Sequence, residues 1–521
     1  MMEKVVRKIV ATLISCCLVV LLLISSNLFA AETHAKRVIW GFSRGAAALT
    51  PWDYPGTAPE HQLLQFSLFQ NLVRFRPNTV EVEPNFAKSW EVSPDGKVYT
   101  FHLRNDIFCS DDWGKLSAKD VVFTFEMLMD PSKKALLSGS LRGIVQKVEA
   151  VGEYDVKVYL ERPMATFLET QVASPQLGIA CKAAVDELGL EEYSKKPVGA
   201  GPYKIVSWER NGNITMKANE KFFRGKPQVE DFGLVVIPDE MVTALSLVRD
   251  EINFMIVRTP QTIKLLSRVL SVTVIRDLDR PDSVLWLHLN TKRAPLNDLR
   301  VRQALMYALD RRTMSKNLEG EIASSVAHSV GIPPLFGYTD RVARYDYNPQ
   351  KAKDLLVAAG VAPGTKINIP VLNTGNYARV MEAVQSQWAQ VGINANLILV
   401  DRGGWLQKAT SGDYDVFVWN HTDYDMDNNL YSTFHSSNQP PRLWDLSYYS
   451  GVDAWLDAQR TETNPTNRKV LLEQIQRKIA EDVPAIPMWY TVDVTASKSY
   501  VEGNVANVGT WVVWPELYRI K

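Results

Sequence analysis

Three carboxylates stand at alternate positions, Asp423, Asp425 and Asp427, shortly after a short apolar run from Val416 to Trp419. The run reads as a buried strand, so acids at its end are placed to face a cleft and meet a cation. That cation is a metal ion, a side-chain base or the ammonium of a small molecule. Calcium fails on spacing: the acids follow the first half of an EF-hand loop, but the sixth position is Asn428 instead of Gly and the twelfth is Phe434 instead of Glu. Gly199-Ala200-Gly201 lacks the third glycine of a dinucleotide fingerprint and leads into a strand. There is no P-loop, no H-E-x-x-H and no G-x-S-x-G, and of the seven His only His421 is followed closely by a cluster of carboxylates. No nucleophile–base pair emerges, so neither an enzyme nor a metal or other cofactor is expected. A ligand ammonium remains, and the alternative is that all three acids are solvated turn residues.

The chain that must position these acids has 521 residues, too many for one compact core, so two or three lobes are expected. It is 46% apolar and 22% charged with zero formal charge, and it has no block of like charge, which argues against nucleic acid as a partner. The N-terminus is set apart. Lys4, Arg7 and Lys8 precede an apolar run from Ile9 to Ile24, and small residues follow at Ala30-Ala31. That order is a secretory signal peptide, cleaved near Ala30-Ala31, and its core is short for a membrane span of ~20 residues. Its removal takes Cys16 and Cys17 with it and leaves Cys109 and Cys181. In an exported protein these two either bridge or serve as small buried side chains.

Along the mature chain, Val38 to Gly41 reads as an opening strand, Thr50 to His61 as a Pro/Gly-rich loop, and Gln62 to Arg74 as a helix with Leu64, Leu68 and Leu72 on one face. Ser93-Pro94-Asp95-Gly96 is a turn between strands. Tyr99, Phe101 and Leu103 alternate as in a half-buried strand. Ser117 and Asp120 form a capping box for a helix that Pro131 ends. Leu299 to Arg312 is amphipathic, Asn348-Pro349 opens a helix that Gly360 closes, and Ile367 to Leu372, Ala395 to Val400 and Val416 to Trp419 are strands between helices.

Several of these strings, in this order, resemble family 5 of the extracellular solute-binding proteins. They are P-N-F-A-K-S-W-E-V-S-P-D-G-K-V-Y-T-F from Pro84, P-V-G-A-G-P-Y-K-I-V-S-W-E from Pro197, N-E-K-F-F-R-G-K-P from Asn219, L-H-L-N-T-K-R-A-P-L-N-D-L-R-V-R-Q-A-L-M-Y-A-L-D-R from Leu287, Y-D-Y-N-P-Q-K-A-K-D-L-L from Tyr345, and V-P-A-I-P-M-W-Y from Val483. The resemblance covers nearly the whole mature chain. It implies an α/β fold of the periplasmic-binding-protein-like type (type II, cluster C), with two lobes, a hinge and an extra subdomain in the first lobe. The expected division is 1–31 signal peptide, 32–76 start of lobe I, 77–197 extra subdomain, 198–288 lobe I continued, 289–482 lobe II and 483–521 return to lobe I.

The same resemblance implies a monomeric periplasmic receptor that delivers oligopeptides to the membrane permease subunits of an ABC importer. An oligosaccharide or another small solute such as nickel or haem is the alternative ligand. The T-D-Y-D segment is similar to the relatives' Asp-Tyr pattern and puts the ligand's α-ammonium on Asp423, with Tyr424, Trp419 and Trp405 also among the ligand-binding residues. Gly56, Thr57 and Ala58 match a first-lobe loop whose backbone pairs with an extended peptide. Where relatives carry arginines for the peptide's C-terminal carboxylate, this chain has Asn373, Ala409 and Val418, while Arg379, Arg402 and Lys408 lie nearby without aligning.

Overall fold

The alternation of Tyr99, Phe101 and Leu103 buries one face of the strand Val98–Leu103, and Val156, Val158 and Leu160 do the same for Asp155–Leu160. In the computed structural model these two form the centre of a four-stranded antiparallel sheet with Ala87–Val92 and Val145–Ala150 outside them. The model describes residues 36–53, 59–77, 79–132, 141–278, 281–320, 322–333, 335–373, 376–422, 425–442, 444–503 and 514–521. Helix Ala118–Met129 covers the sheet and carries the capping box at Ser117 and Asp120. Asp120 also accepts from the Lys182 amide at 2.8 Å, which ties that helix to the next, Lys182–Lys195. A disulfide between Cys109 and Cys181, Cα atoms 6.2 Å apart, clamps the same corner.

This sheet sits on a larger one of seven strands, in the order 272–275, 494–498, 254–257, 37–42, 231–236, 214–218, 203–208. Its centre, the strands at 254–257, 37–42 and 231–236, is parallel. One hydrophobic cluster runs from Val38 and Trp40 through the four-stranded sheet to Tyr518, so the two sheets form one body, the first lobe. The helix read over 62–74 is shorter, Pro59–Leu68, and Val73–Phe75 is a strand. Asn71 breaks the helical run because its amide is committed to the carbonyls of Val172 and Ser174, at 3.2 and 2.5 Å.

The second lobe is built on four antiparallel strands, 323–326, 485–491, 283–289 and 416–422. A parallel pair, Thr365–Leu372 and Ile393–Val400, is joined by helix Tyr377–Gln390. The amphipathic stretch 299–312 divides into helices Leu299–Tyr307 and Arg311–Leu318, with Asp310 capping the second. The division lets the buried Arg311 guanidinium reach the carbonyls of Ala327, Pro487 and Tyr345. No helix among the described residues is long and apolar enough to cross a membrane.

The chain enters the second lobe on Ser283–Leu289, whose seven residues are all buried, and leaves on its neighbour Ala485–Thr491. The exit strand runs on into Val494–Lys498 of the seven-stranded sheet. Where the crossings meet, the Asp493 amide donates to Asp282 at 2.8 Å. Desolvation pushes both carboxyls up, and the Asp282 charge pushes Asp493 further.

A second link between the lobes lies at the acidic stretch. Asp425 caps helix Met426–Phe434 through the amides of Asp427 and Asn428, at 2.8 and 3.3 Å. Asp427, fully buried, receives both ends of a bond from Arg460 Nε at 2.9 Å, a bond from Gln459 and, from the first lobe, one from Thr166 Oγ1 at 3.2 Å. Beside it the Ala165 amide donates to the Arg460 carbonyl at 2.7 Å. Glu169, four residues on from Ala165, is pushed up to about 7, first by burial and then by the Asp425 charge.

Three outcomes follow. Replacing both Cys109 and Cys181 by Ser opens a loop with a sequence separation of 72 and lowers unfolding free energy by up to about 4 kcal/mol, read by urea denaturation. Asp427→Asn strands a buried Arg460 charge and costs about 3–5 kcal/mol in the same assay. A carboxyl whose pKa rises on folding destabilises the protein once the unfolded chain ionises. Stability therefore falls as pH rises from the unfolded Glu value, 4.5, to about 7. Glu169→Gln flattens that decline, and an unchanged pH profile in the variant assigns it elsewhere.

Candidate ligand-binding cleft

Strand Val416–Thr422 alternates between two cores. Val416 and Val418 pack into the main core of the second lobe, and Phe417 points into a smaller cluster with Trp405, Tyr414 and Leu446, against which Trp419 also packs. Trp419 is half-buried and marks where this cluster meets solvent. Its ring lies 4.6 Å from Trp405 and 6.2 Å from Tyr377, nearly parallel to the latter at 9°. Offset ring pairs at such distances are attractive. Trp405 is almost wholly buried, and its Nε1 has no hydrogen-bond partner among the described residues.

Helix Arg402–Ser411 sets Trp405. Asp401 caps it by accepting from the Gly404 amide at 2.8 Å, which fixes Arg402 in the first turn. The Arg402 guanidinium lies 5.0 Å over Trp405 and 5.2 Å over Trp419, within cation–π range. Contact with the rings desolvates it and lowers its pKa, and the charge of Arg44 lowers it further. Arg44 belongs to the other lobe, just beyond strand Arg37–Phe42. It is held at 2.7 Å by the buried Glu60. Burial works against ionisation of Glu60, yet the His61 hydrogen bond and the Arg44 charge hold its carboxyl below the usual range.

Arg258 lies just past the adjacent parallel strand, Phe254–Val257. Burial pushes the Tyr377 phenol up to about 12, while the Asn420 amide and the Arg258 and Arg402 charges act against the rise. The carboxyl ends of two parallel strands of the first lobe thus lie within electrostatic reach of the aromatic cluster of the second. Open α/β sheets bind ligands outside the carboxyl ends of their strands.

Of the predicted residues, Trp405 and Trp419 are brought together here. Asp423, Tyr424, Gly56, Thr57 and Ala58 lie outside the described residues. Asp425 and Asp427 are turned away from solvent into the inter-lobe link, so neither is a solvated turn residue or a cleft acid. His421, despite its acidic sequence neighbours, stacks on Trp286 at 4.1 Å and meets His288 at 2.9 Å between Nε2 atoms. Burial lowers both imidazoles, His288 to about 3, so the pair is neutral and structural. Among the described residues no three His, Cys, Asp or Glu side chains gather as metal ligands do.

The sequence reading missed Arg44, Arg258 and Tyr377, and it left Arg402 without a role. For Arg402 the only local signal was an arginine directly after a capping Asp and three positions before Trp405. Ala409 and Val418, read as replacements for carboxylate-binding arginines, are core positions with no more than 1% exposure, where no arginine fits. Their identity therefore carries no information about the cleft. Lys408 is neutralised by Asp413.

The model of the bacterial extracellular solute-binding proteins, family 5 (middle), matches residues 81–441. The chain is 29% identical over 467 residues to di/tripeptide-binding protein 2 of Pseudomonas aeruginosa, covering 84% of this chain and 86% of that one. The structure is similar to that of the periplasmic binding protein DppA from Helicobacter pylori in complex with the peptide STSA, with TM-score 0.81, 26% identity and coverage of 94% and 99%. It is also similar to MoaA of A. tumefacien R10 in complex with mannopinic acid, with TM-score 0.80, 25% identity and coverage of 94% and 100%. The match spans well over half the chain and both lobes, and on that ground the protein belongs to family 5 of the bacterial extracellular solute-binding proteins, two-lobed carriers of solutes and not enzymes.

Proposed function

We propose that the protein is the exported, monomeric receptor of an ABC importer, cleaved near Ala30-Ala31, and that it closes its lobes around an oligopeptide and presents it to the permease subunits in the membrane. The observation that carries this reading is the cleft between the strand ends at Arg44 and Arg258 and the aromatic wall of Tyr377, Trp405 and Trp419, in a chain whose relatives include a di/tripeptide-binding protein. Asp423 holds the α-ammonium of the peptide, Tyr424 flanks it, and the backbone of Gly56, Thr57 and Ala58 pairs with the peptide's own backbone. Aromatic faces accept side chains of many kinds, which suits a receptor for mixed peptides.

A sugar-derived solute is the second reading. It is favoured by the three clustered rings, since flat faces stack on sugar rings as well as on side chains, and by the similarity to a protein solved with mannopinic acid.

Calorimetry with tetra-alanine separates the two. An ammonium on a carboxylate contributes about 1.5–3 kcal/mol, so Asp423→Asn or N-acetylation of the peptide weakens binding about 10- to 100-fold. Equal affinity for the acetylated and free peptides removes Asp423 from the anchor role. Stabilisation by sugar derivatives with none by peptides establishes the second reading.

A further inference from the structure

The four-stranded sheet of the first lobe lends no residue to the aromatic cluster of the cleft, yet it reaches the second lobe elsewhere. Tyr99, on the buried face of strand Val98–Leu103, donates from its hydroxyl to the Met164 carbonyl at 3.2 Å, and its ring packs on Phe167 at 4.8 Å. These contacts hold a turn, closed by the Phe167 amide on the Met164 carbonyl at 3.2 Å, whose central residues are Ala165 and Thr166. Both central residues bond to the second lobe. The Ala165 amide donates to the Arg460 carbonyl at 2.7 Å, and Thr166 Oγ1 donates to Asp427 Oδ2 at 3.2 Å.

Apolar contacts line the same junction. Val80, in the stretch before the sheet, packs against the second-lobe cluster that holds Met426, Leu430 and Leu456. The Ser93–Gly96 turn lies against Thr463: a methyl group on Gly96 would stand 3.7 Å from Thr463 Cγ2 and 3.2 Å from Pro163 Cβ. Glu169 works against the contact. Its Oε2 is buried without a hydrogen-bond partner among the described residues, and burying an unpaired acceptor is costly. Two hydrogen bonds and a small apolar contact, opposed by a buried acid, make a junction weak enough to part. The crossing strands Ser283–Leu289 and Ala485–Thr491 join the lobes through the chain itself and persist in any arrangement. The junction at Thr166 lasts only while the lobes are together.

We propose that the four-stranded sheet is a brace: through Ala165 and Thr166 it holds Arg460 and Asp427 of the second lobe, favours the closed arrangement and so sets how long a solute is retained. The assignment rests on the solute-receptor reading given above, but not on the solute being a peptide. Ala165 and Thr166 are positioning residues. They act through the balance of open and closed forms, since apparent affinity scales with the fraction of the chain in the binding-competent form.

Two substitutions cut the two bonds separately. Thr166→Val keeps the shape of the side chain and removes its hydroxyl. Ala165→Pro removes the amide at the second position of a turn, where proline is favoured. Small-angle scattering of the full mature chain, with and without tetra-alanine, is measured beside the rate of tetra-alanine release by stopped flow and the urea midpoint. Both variants are expected to scatter as a more extended particle and to release tetra-alanine about 3- to 10-fold faster, the effect of one lost hydrogen bond. Thr166→Ser, which keeps the donor, matches the parent. A lowered urea midpoint with unchanged scattering and release marks a merely structural contact and overturns the brace, as does a Thr166→Ser chain that behaves like Thr166→Val. If tetra-alanine is not bound, the peptide reading fails and scattering alone decides the brace: a more extended Thr166→Val chain upholds it, and an unchanged one overturns it.

Discussion

The carboxylate of Asp427 is the constraint on which the geometry between the lobes depends. A charge without solvent contact is tolerated only when it is paired and its lone pairs are filled. Here Arg460, Gln459 and Thr166 fill them. Two of these donors come from helix Asp453–Thr461 of the second lobe and one from the first. Because an unpaired partner is costly, this group of residues stays together or separates as a unit. It also holds the first turn of helix Met426–Phe434, where Asp427 stands.

The neutral His288–His421 pair does the complementary work inside the sheet. Trp286 and Trp419 are opposite each other in the register of strands Ser283–Leu289 and Val416–Thr422. Trp286 is wholly buried and stacked on His421. The strand that crosses between the lobes is thereby locked side by side with the strand that carries the cleft's aromatic wall. The crossing, where the Asp493 amide donates to Asp282, is thereby joined to Trp419 through paired strands, and the helix bearing Trp405 and Arg402 is joined to Trp419 through ring contacts.

The two-lobed α/β fold was legible because local pattern and tertiary environment agree over most of it. Tyr99, Phe101 and Leu103 alternate because one face is buried, and Ser117 with Asp120 caps because the two partners stand three residues apart at one helix start. The reading went astray where a distant partner decides. The apolar spacing through Leu72 suggested a longer helix, but the Asn71 amide is drawn to carbonyls some hundred residues away. Asp425 and Asp427 looked like acids aimed at a cleft because Arg468 and Arg460, which hold them, are more than thirty residues on. Whether Cys109 and Cys181 bridge was open because spacing says nothing about distance. The arginines missing at 409 and 418 were sought at positions that turn out to be core, while Arg402 gained its place from two rings that only the folded chain brings beneath it.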